Sequence, residues 1–308
     1  MKKTIIGLFA ALFFVSIAGC KINVGSSGGQ QGGSVPTGNF KQTGYIKTGT
    51  QNINGTNYDL VTFGNFPQSE KDSNVTVSTT ATNVNGFTCY KGDDDEWYVN
   101  FGSKYYKVEP IKWRVLTTNY DHDGNASTPG KKLLLAENIL INKPYDYYAS
   151  DSYADSPIRN YLTDDFFTTA FTQAEQAAIA TTTVVNNAER TNPDSNATLW
   201  NDGDNSWACD PTEDKIFLLS EQEATKADYG FAAYDASGIG NTRIRMTTAF
   251  AKANGAFQSS TAGYGGSWWL RSCDDSISAR IVDINGNASI CGTKDFGYRG
   301  VVPALCLE

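Results

Sequence analysis

Residues 267–308 combine two apolar stretches with an irregular, polar middle. Trp268, Trp269 and Leu270 open this segment, and the apolar residues 301–305 close it. The residues between them mix Asp, Ser, Asn, Arg, Phe and Tyr and follow neither helical nor strand periodicity for long. Apolar ends fix a segment in a core, whereas a loop held by such a scaffold can vary without loss of packing. The pattern therefore predicts a displayed binding surface, and it favours recognition over catalysis.

The start of the chain has the pattern of a bacterial lipoprotein signal. A basic start at residues 1–3 precedes an apolar run over residues 5–17, which is too short to span a bilayer as a mature helix. Small residues then precede Cys20, which resembles the lipobox, where the cysteine is acylated and the bond before it is cut. We expect residues 1–19 to be removed and Cys20 to carry a lipid anchor. An ordinary signal peptide or a membrane anchor is the alternative.

The remaining chain divides into a tether and one folded domain. Residues 25–34 are mainly Gly and Ser with no apolar side chain, so residues 20–56 are expected to form a flexible, disordered tether. Residues 57–308 are long for one domain but suit a single elaborated one. The chain is 40% hydrophobic and 12% aromatic, which is enough for a sizeable core.

The net charge of the chain argues against nucleic acid as a partner. The chain has 25 Lys and Arg against 33 Asp and Glu, a net charge of −8, and no basic cluster beyond the signal, so no nucleic-acid partner is expected.

An exported chain can form disulfides, and Cys273 with Cys291 could close the irregular segment. The odd number of cysteines after Cys20 leaves at least one thiol unpaired, and the sequence does not fix the pairing. The five are Cys89, Cys209, Cys273, Cys291 and Cys306.

The pattern of the domain predicts an α+β fold with short strands and a few short helices. Strand candidates are rich in β-branched and aromatic residues and cover residues 58–63, 105–108, 111–117, 132–136, 215–219, 268–272 and 279–282. Helix starts are predicted by Ser156 before Pro157, by the capping boxes Thr172-x-x-Glu175 and Ser220-x-x-Glu223, and by Thr248 before an Ala-rich stretch ending at Gly255. Residues 184–214 are polar and indicate a surface insertion.

Six motifs occur in order along residues 58–307. They are FGNFPQ (63–68), EPIKWRVL (109–116) followed by KLLLA (132–136), SPIRNYL (156–162), residues 166–175, DKIFLLS (214–220), and WWLRS (268–272) with GVVPAL (300–305). Together they resemble the DUF6273 domain family of bacterial surface proteins. Such domains are similar to the C-type-lectin-like fold of the formylglycine-generating-enzyme type, so the resemblance implies a C-type-lectin-like domain. Cys273 stands where the family usually has Pro, and Val302 where it usually has Arg, so no role for that arginine carries over.

The resemblance also implies that the sequence of the C-terminal segment can vary between copies of the gene. In some relatives this region is diversified by a diversity-generating retroelement that mutates adenines, and the usual target, an AAY codon for Asn, cannot become Glu, Gln, Met, Trp or Lys by that route. Residues 273–307 contain no Glu, Gln, Met or Trp, and Lys294 is the only Lys. This composition favours a variable segment over residues 273–300, although loops rich in Asp, Asn and Ser also arise without mutagenesis.

The variable segment supplies the predicted ligand contacts. Phe296 and Tyr298 would be anchors, and Arg280 and Arg299 would pair with acidic groups. In the alternative interpretation the polar side chains only face water on surface hairpins, and the aromatic side chains pack inward. The predicted contacts are Asp274, Asp275, Ser276, Arg280, Asp283, Asn285, Asn287, Lys294, Asp295, Phe296, Tyr298 and Arg299. Strand alternation predicts that one of Trp268 and Trp269 lies in the core and the other on the surface, so both belong to the scaffold.

Patterns for metal binding and catalysis are weak. His122, the only histidine, lies in DHDGN (121–125), which lacks the distal Glu of a calcium loop and suits a hairpin tip. WND (200–202) resembles a calcium-binding motif of lectins over three residues only. The chain has no G-x-S-x-G, HExxH, P-loop or CxxC pattern. We therefore predict no enzyme, no metal and no cofactor, and a carboxylate-only glycosidase is the remaining enzymatic alternative.

The sequence as a whole predicts a lipid-anchored protein of the cell envelope, on its outer surface. Its partners are the membrane, through the lipid on Cys20, and a protein or glycan ligand bound by the C-terminal segment. The competing hypothesis is a structural or adhesive envelope lipoprotein without a diversified site. A carbohydrate-active enzyme ranks third.

Overall fold

Long antiparallel strands form most of the protein. The computed structural model describes residues 37–38, 40, 44–120, 130–147, 152–186, 209–274 and 277–308. Their strands, in chain order, are β1 (Thr37–Gly38), β2 (Ile46–Ile53), β3 (Thr56–Glu70), β4 (Val77–Val84), β5 (Phe87–Gly92), β6 (Trp97–Phe101), β7 (Lys104–Tyr120), β8 (Lys131–Ala136), β9 (Asn138–Ile139), β10 (Ile141–Asn142), β11 (Thr182–Val184), β12 (Thr212–Asp214), β13 (Ile216–Phe217), β14 (Met246–Thr247), β15 (Trp268–Cys273), β16 (Ser278–Val282), β17 (Ile290–Thr293), β18 (Gly300–Val301) and β19 (Ala304–Leu307).

The helices are short. The described α-helices are Pro157–Asn160, Phe167–Ala170, Gln173–Ala178, Glu221–Ala224 and Ala249–Ala253, with a π-helix at Tyr161–Phe166 and a 3-10 helix at Ala227–Tyr229. The first two α-helices and the π-helix between them form one continuous helical run. The predicted caps are confirmed: Thr172 and Ser220 each complete a capping box, and Ser156 and Thr248 accept N-terminal N–H groups.

Strand β7 organises a ten-stranded sheet. The order is β1-β4-β5-β6-β7-β8-β19-β13, with β3 paired to β7 and β2 paired to β3. Apolar residues recur at alternate positions within each half of β7, with Tyr106 and Val108 before Pro110 and Ile111 and Trp113 after it, and these side chains are buried. Because successive side chains of a strand point to opposite faces, this alternation places one face of β7 in the core.

A second sheet has five strands in the order β10-β18-β15-β16-β17. Two segments join it to the first sheet. Residues 131–142 contain β8 and β10, and residues 300–307 contain β18 and β19. They run antiparallel to each other, with Ile141 opposite Val301 and Leu135 opposite Ala304. Two small sheets pair β11 with β12 and β9 with β14.

The prediction of an α+β, C-type-lectin-like domain is wrong, because the structure is mainly β with several sheets. The predicted helix starts are correct, but apart from the run over residues 157–170 each helix ends within six residues. The strands are longer than the pattern indicated. Residues 105–108 and 111–117 belong to one strand that passes through Pro110, and the strand predicted to end at Phe63 continues to Glu70.

A bulge explains why β3 continues through Gly64, whereas Pro110 of β7 stays in register opposite Asn65. The pairing of β3 with β7 shifts register between Thr62 and Asn65 and again between Pro67 and Glu70. Gly64 has φ +70, which suits glycine because it has no Cβ. A bulge leaves a residue out of the ladder, so such residues need not end a strand.

Part of the stretch predicted as a tether, residues 20–56, lies in the folded domain. β2 pairs with β3 along seven residue pairs, from Ile46 with Thr62 to Ile53 with Thr56. Phe40 is buried, with its ring centroid 6.2 Å from that of Phe87. The folded domain therefore begins before residue 57. The predicted signal, Cys20 and the Gly/Ser-rich residues lie outside the described residues.

Candidate functional site

The C-terminal segment forms a hairpin and a loop at one edge of the five-stranded sheet. β15 pairs with β18 in parallel, and β16 and β17 form an antiparallel hairpin beside β15. Within the described part of the chain β17 pairs with β16 alone, which makes β17 an edge strand. Residues 294–299 return the chain to β18. Residues 295–299 are named the C-terminal loop below.

Buried strands hold both ends of the segment. Every residue of β15 and every residue from Gly300 to Leu307 is buried. The prediction that one of Trp268 and Trp269 would be exposed is wrong, since each is 0% exposed. The indole N–H of Trp268 donates to the Arg243 carbonyl at 3.2 Å and that of Trp269 to the Lys143 carbonyl at 2.9 Å. β15 lies inside the sheet with both faces covered, so alternation does not expose either side chain.

Three of the predicted ligand contacts are buried at the base of the hairpin. Arg280 Nη2 lies 2.8 Å from Asp274 Oδ1, and Arg280 Nε lies 3.4 Å from Glu221 Oε2. Lys294 is 0% exposed, and its ammonium lies 5.7 Å from the Tyr145 ring centre. These charged groups join the hairpin to the rest of the domain.

Three other predicted contacts build the turn between β16 and β17. The Asp283 carboxylate accepts from the backbone N–H groups of Asn285 and Asn287, at 3.0 and 2.9 Å. Asn287 Oδ1 accepts from the backbone N–H and the hydroxyl of Ser289, both at 2.7 Å. Arg243 is buried and donates to the Gly286 carbonyl at 2.7 Å. The turn is therefore half-buried and fixed by its own side chains.

The C-terminal loop presents the remaining predicted contacts. Asp295 is exposed, Phe296 is 48% exposed and Tyr298 is 61% exposed. The two aromatic rings pack edge to face with their centroids 5.4 Å apart. Large apolar side chains exposed side by side are typical of interaction sites rather than of ordinary protein surface.

Arg299 lies beneath this pair. Its guanidinium carbon is 4.9 Å from the Trp269 ring centre and 5.2 Å from that of Phe296. The atoms Nε and Nη1 are buried and have no hydrogen-bond partner among the described residues. Burial lowers the pKa of Arg299, while the nearby Cys291 and Asp295 act in the opposite direction. The loop thus contains a guanidinium held between two rings, and two of its buried nitrogen donors have no hydrogen-bond partner among the described residues.

Several residues that the sequence analysis did not select also line this edge. Ile277 is 52% exposed, Ile290 is 37% exposed, and Cys291 is exposed on the edge strand. The Phe257 N–H donates to the Tyr298 carbonyl at 2.9 Å, and the Phe257 side chain is 49% exposed. No motif marked these positions, because isolated apolar residues carry no periodic signal.

Cys273 and Cys291, which could have closed the irregular segment, form no disulfide with each other, and none of the described cysteines is in a disulfide. The predicted contacts Asp275 and Ser276 lie outside the described residues, as do the DHDGN and WND stretches.

The acidic stretch at residues 93–96 is engaged in the domain: Tyr98 donates to Asp94 at 2.7 Å, and Lys107 lies within 4 Å of both Asp94 and Glu96. Among the described side chains, no group of three or more His, Cys, Asp or Glu residues could hold a metal ion.

Two open clefts lie elsewhere on the domain. One, of about 330 Å³, is lined by β3, β7 and the start of the helix Ala249–Ala253. Its polar groups are engaged internally, since Gln68 donates to the Glu109 carbonyl and Ser69 to the Glu109 carboxylate. The other, of about 340 Å³, lies between residues 143–147 and the helical run 157–170.

The fold and the loop define a mainly β domain that presents an aromatic and cationic loop at a sheet edge. The family model of DUF6273, a domain of unknown function, matches residues 129–308. The match covers more than half of the chain, so the protein belongs to the DUF6273 family. The motifs at residues 63–68 and 109–116, which the sequence analysis assigned to the family, lie before the matched region. No curated protein and no solved structure matches the chain.

The matched region corresponds to a definite part of the fold. It begins just before β8 and ends just after β19, so it includes both segments that join the two large sheets. Strands β1 to β7 come from the preceding part of the chain.

None of the described helices is long and apolar enough to cross a membrane.

Proposed function

We propose that this protein is a lipid-anchored surface protein that binds a ligand through its C-terminal loop. The observation that carries the proposal is the exposed pair Phe296 and Tyr298, whose rings pack edge to face, with the Arg299 guanidinium beside the Phe296 ring. Aromatic side chains and arginine contribute most of the binding energy in many interfaces, since they offer large rigid contact areas and directional hydrogen bonds.

The position of the loop supports binding. The edge strand β17 precedes it and the buried strand β18 follows it, and the ion pairs of Arg280 and the buried Lys294 fix the hairpin beside it. A loop that is already fixed in place loses little conformational entropy when it binds. Its exposed positions can change without altering the core, which is what a varied recognition surface requires.

Retroelement diversification of this loop is part of the proposal. Lys294 is the only residue of the segment that an AAY codon cannot produce, and it is fully buried. Its side chain therefore belongs to the scaffold, and we leave it out of the proposed recognition surface. Asp295, Phe296, Tyr298 and Arg299 remain, together with the polar turn at residues 283–287.

Deep sequencing of the 3′ end of the gene across a population of source cells tests the diversification. We expect changes at codons for exposed positions of residues 283–299, with residues 268–272, Lys294 and residues 301–305 unchanged. Changes spread evenly along the gene, or none, would contradict diversification and leave a binder of fixed specificity.

Ligand binding is tested with the full-length protein on arrays of glycans and peptides. The double variant Phe296→Ala/Tyr298→Ala should lose a binding signal that the wild type gives. The matched control is Tyr45→Ala/Tyr234→Ala, which removes two exposed tyrosines from outside the loop. Equal signals from both double variants would place any binding outside the loop and favour a structural or adhesive lipoprotein.

The anchor has its own test. In the wild type we expect the protein in the membrane fraction with an acylated N-terminal peptide at Cys20, as seen by mass spectrometry. Cys20→Ser should move the protein out of that fraction, since the thiol that receives the lipid is gone. An unmodified Cys20 in the wild type would contradict the lipoprotein assignment.

A further inference from the structure

The open cleft of about 340 Å³ has no residue of the C-terminal loop in its lining and has two chemically different walls. One wall is the helical run, which contributes Asn160, Tyr161, Asp164 and Asp165. The other wall contributes Lys143 and Tyr147. Its volume is at the small end of ligand-binding pockets.

The helical wall carries polar side chains with no partner. Within the described residues, neither the carboxylates of Asp164 and Asp165 nor the side-chain amide of Asn160 has a hydrogen bond or an ion pair. The backbone around them is satisfied separately: Thr168 Oγ1 donates to the Asp164 carbonyl at 2.7 Å, and Thr169 Oγ1 donates to the Asp165 carbonyl at 2.6 Å. The side chains therefore remain available to a ligand.

The geometry of this wall is unusual. Tyr161, Asp164 and Asp165 lie in the π-helix Tyr161–Phe166. π-Helical turns are rare, less regular than α-helix and frequent at functional sites. The π-helix is anchored by its apolar side, where Leu162 and Phe166 are buried in the core.

The opposite wall is held in place from beneath. The Lys143 carbonyl accepts from the Trp269 indole at 2.9 Å, and the buried Tyr145 hydroxyl donates to the Arg271 carbonyl at 2.8 Å. The Lys143 ammonium lies 4.5 Å from the Tyr161 ring centre, across the cleft. Tyr147, at the rim, is 60% exposed. This wall therefore contributes one cationic side chain, which packs on Tyr161, and one open aromatic face.

We propose that this cleft binds a neutral sugar. Sugar hydroxyls both donate and accept hydrogen bonds. The cleft offers acceptors in the Asp164 and Asp165 carboxylates, and both a donor and an acceptor in the Asn160 amide. The Tyr147 ring suits the apolar face of a pyranose. A cationic ligand would meet Lys143, and an anionic ligand would meet two carboxylates, so a neutral polyhydroxylated ligand fits best.

The test uses full-length protein in detergent and four neutral probes: the methyl glycosides of glucose, galactose, mannose and N-acetylglucosamine. Saturation-transfer NMR and titration should detect binding of at least one. Tyr147→Ala and Asp164→Ala/Asp165→Ala should each weaken that binding at least tenfold. Asp164→Asn/Asp165→Asn keeps the side-chain shape and should also weaken binding. Thermal unfolding separates lost binding from lost folding.

Matched controls come from other parts of the surface. Tyr234→Ala and Asp228→Ala remove an exposed tyrosine and an exposed aspartate that do not line the cleft, and they should leave sugar binding unchanged. Phe296→Ala/Tyr298→Ala should also leave it unchanged, so failure at this cleft is distinguishable from failure of the C-terminal loop. The proposal is overturned if no glycoside binds at its solubility limit, or if folded cleft variants bind as the wild type does. Tighter binding of choline or glucuronate than of any neutral probe would equally overturn it.

Discussion

Arg271 and Glu223 form a buried ion pair that ties the WWLRS strand to a helix start. Arg271 donates through both Nη atoms to the Glu223 carboxylate, with Nη2 at 3.0 Å from Oε1. Glu223 also accepts from the Ser220 N–H, which completes the capping box, and from the Tyr120 hydroxyl at 2.7 Å. One carboxylate thus connects β15, β7 and the helix Glu221–Ala224.

Breaking this pair should destabilise the domain strongly. Arg271→Met leaves the Glu223 carboxylate buried without its cation, and we expect a loss of about 3–5 kcal/mol in the free energy of unfolding. Urea denaturation measures this loss. The matched control is Lys47→Met, which breaks the exposed Lys47–Asp59 pair and should cost less than about 1 kcal/mol. Equal losses for the two variants would contradict the role of the buried pair.

The same carboxylate predicts the direction of a pH effect. Burial alone would raise the pKa of Glu223, but the Arg271 charge and the hydrogen bonds outweigh it and hold that pKa below its ordinary value of 4.5. A carboxylate with a lowered pKa stabilises the fold fully above its unfolded pKa, and this contribution is lost as the pH falls through the folded pKa. The pKa of Glu137, beside Arg114 and Arg245, is lowered too.

We therefore expect the free energy of unfolding to fall as the pH drops below about 4.5. Glu223→Gln should reduce the slope of stability against pH in that window, while Glu308→Gln, at an exposed position, should not. The measurement is urea denaturation at a series of pH values. An unchanged slope in Glu223→Gln would show that other groups carry the acid sensitivity.

The close approach of Gly292 to the Arg299 guanidinium allows a test of how tightly Arg299 is held. A Cβ at Gly292 would lie 2.3 Å from the Arg299 guanidinium carbon, so Gly292→Ala must displace that side chain from between Trp269 and Phe296. We expect a changed NMR resonance of the Arg299 Nε–H and a loss of any binding by the C-terminal loop. Gly297→Ala is the matched control, because nothing lies within 4 Å of a Cβ there. An unchanged Arg299 resonance in Gly292→Ala would contradict the packing.

Cysteine reactivity should separate the edge strand from the core. Cys291 is exposed, whereas burial raises the pKa of Cys89 and Cys306 to about 12 and also raises the pKa of Cys273. Since the thiolate is the reactive form, iodoacetamide should modify Cys291 first and the three buried thiols slowly. Peptide mass spectrometry over time measures the order. Cys291→Ser should remove the fast modification of the peptide that contains residue 291, and modification of Cys273 before Cys291 in the wild type would indicate that the hairpin base opens.

Local signals in the sequence predicted the helix starts well. A capping box at Thr172 or Ser220 needs only residues three positions apart, so it can be recognised without the fold. Strand extent was harder to predict, because Pro110 and Gly64 normally interrupt strands, whereas here a bulge accommodates Gly64 and Pro110 stays in register opposite Asn65. The α+β assignment failed for the same reason: the interrupted strands looked short, and short strands beside helices indicate α+β. The lectin-like part of the prediction rested on the family resemblance alone.

The candidate site shows a similar division. Phe296 and Tyr298 are exposed on the loop, as expected of anchors, although their binding role stays a prediction. The burial of Asp274, Arg280 and Lys294 could not be read from the sequence, because buried ion pairs join residues that are far apart along the chain, such as Glu221 and Arg280. The cleft was missed because its carboxylates lie in a π-helix, which has no recognised sequence pattern.

Strand β19 lies between β8 and β13 inside the ten-stranded sheet, and this position constrains when the protein can fold during synthesis. Its partners Leu135 and Ile216 precede Ala304 and Leu305 by long stretches of chain. Closing such long loops is slow, and it cannot start until residues 304–307 have left the ribosome. Until then β8 and β13 lack the strand that lies between them, so the ten-stranded sheet cannot be completed before synthesis of the chain has reached its last residues.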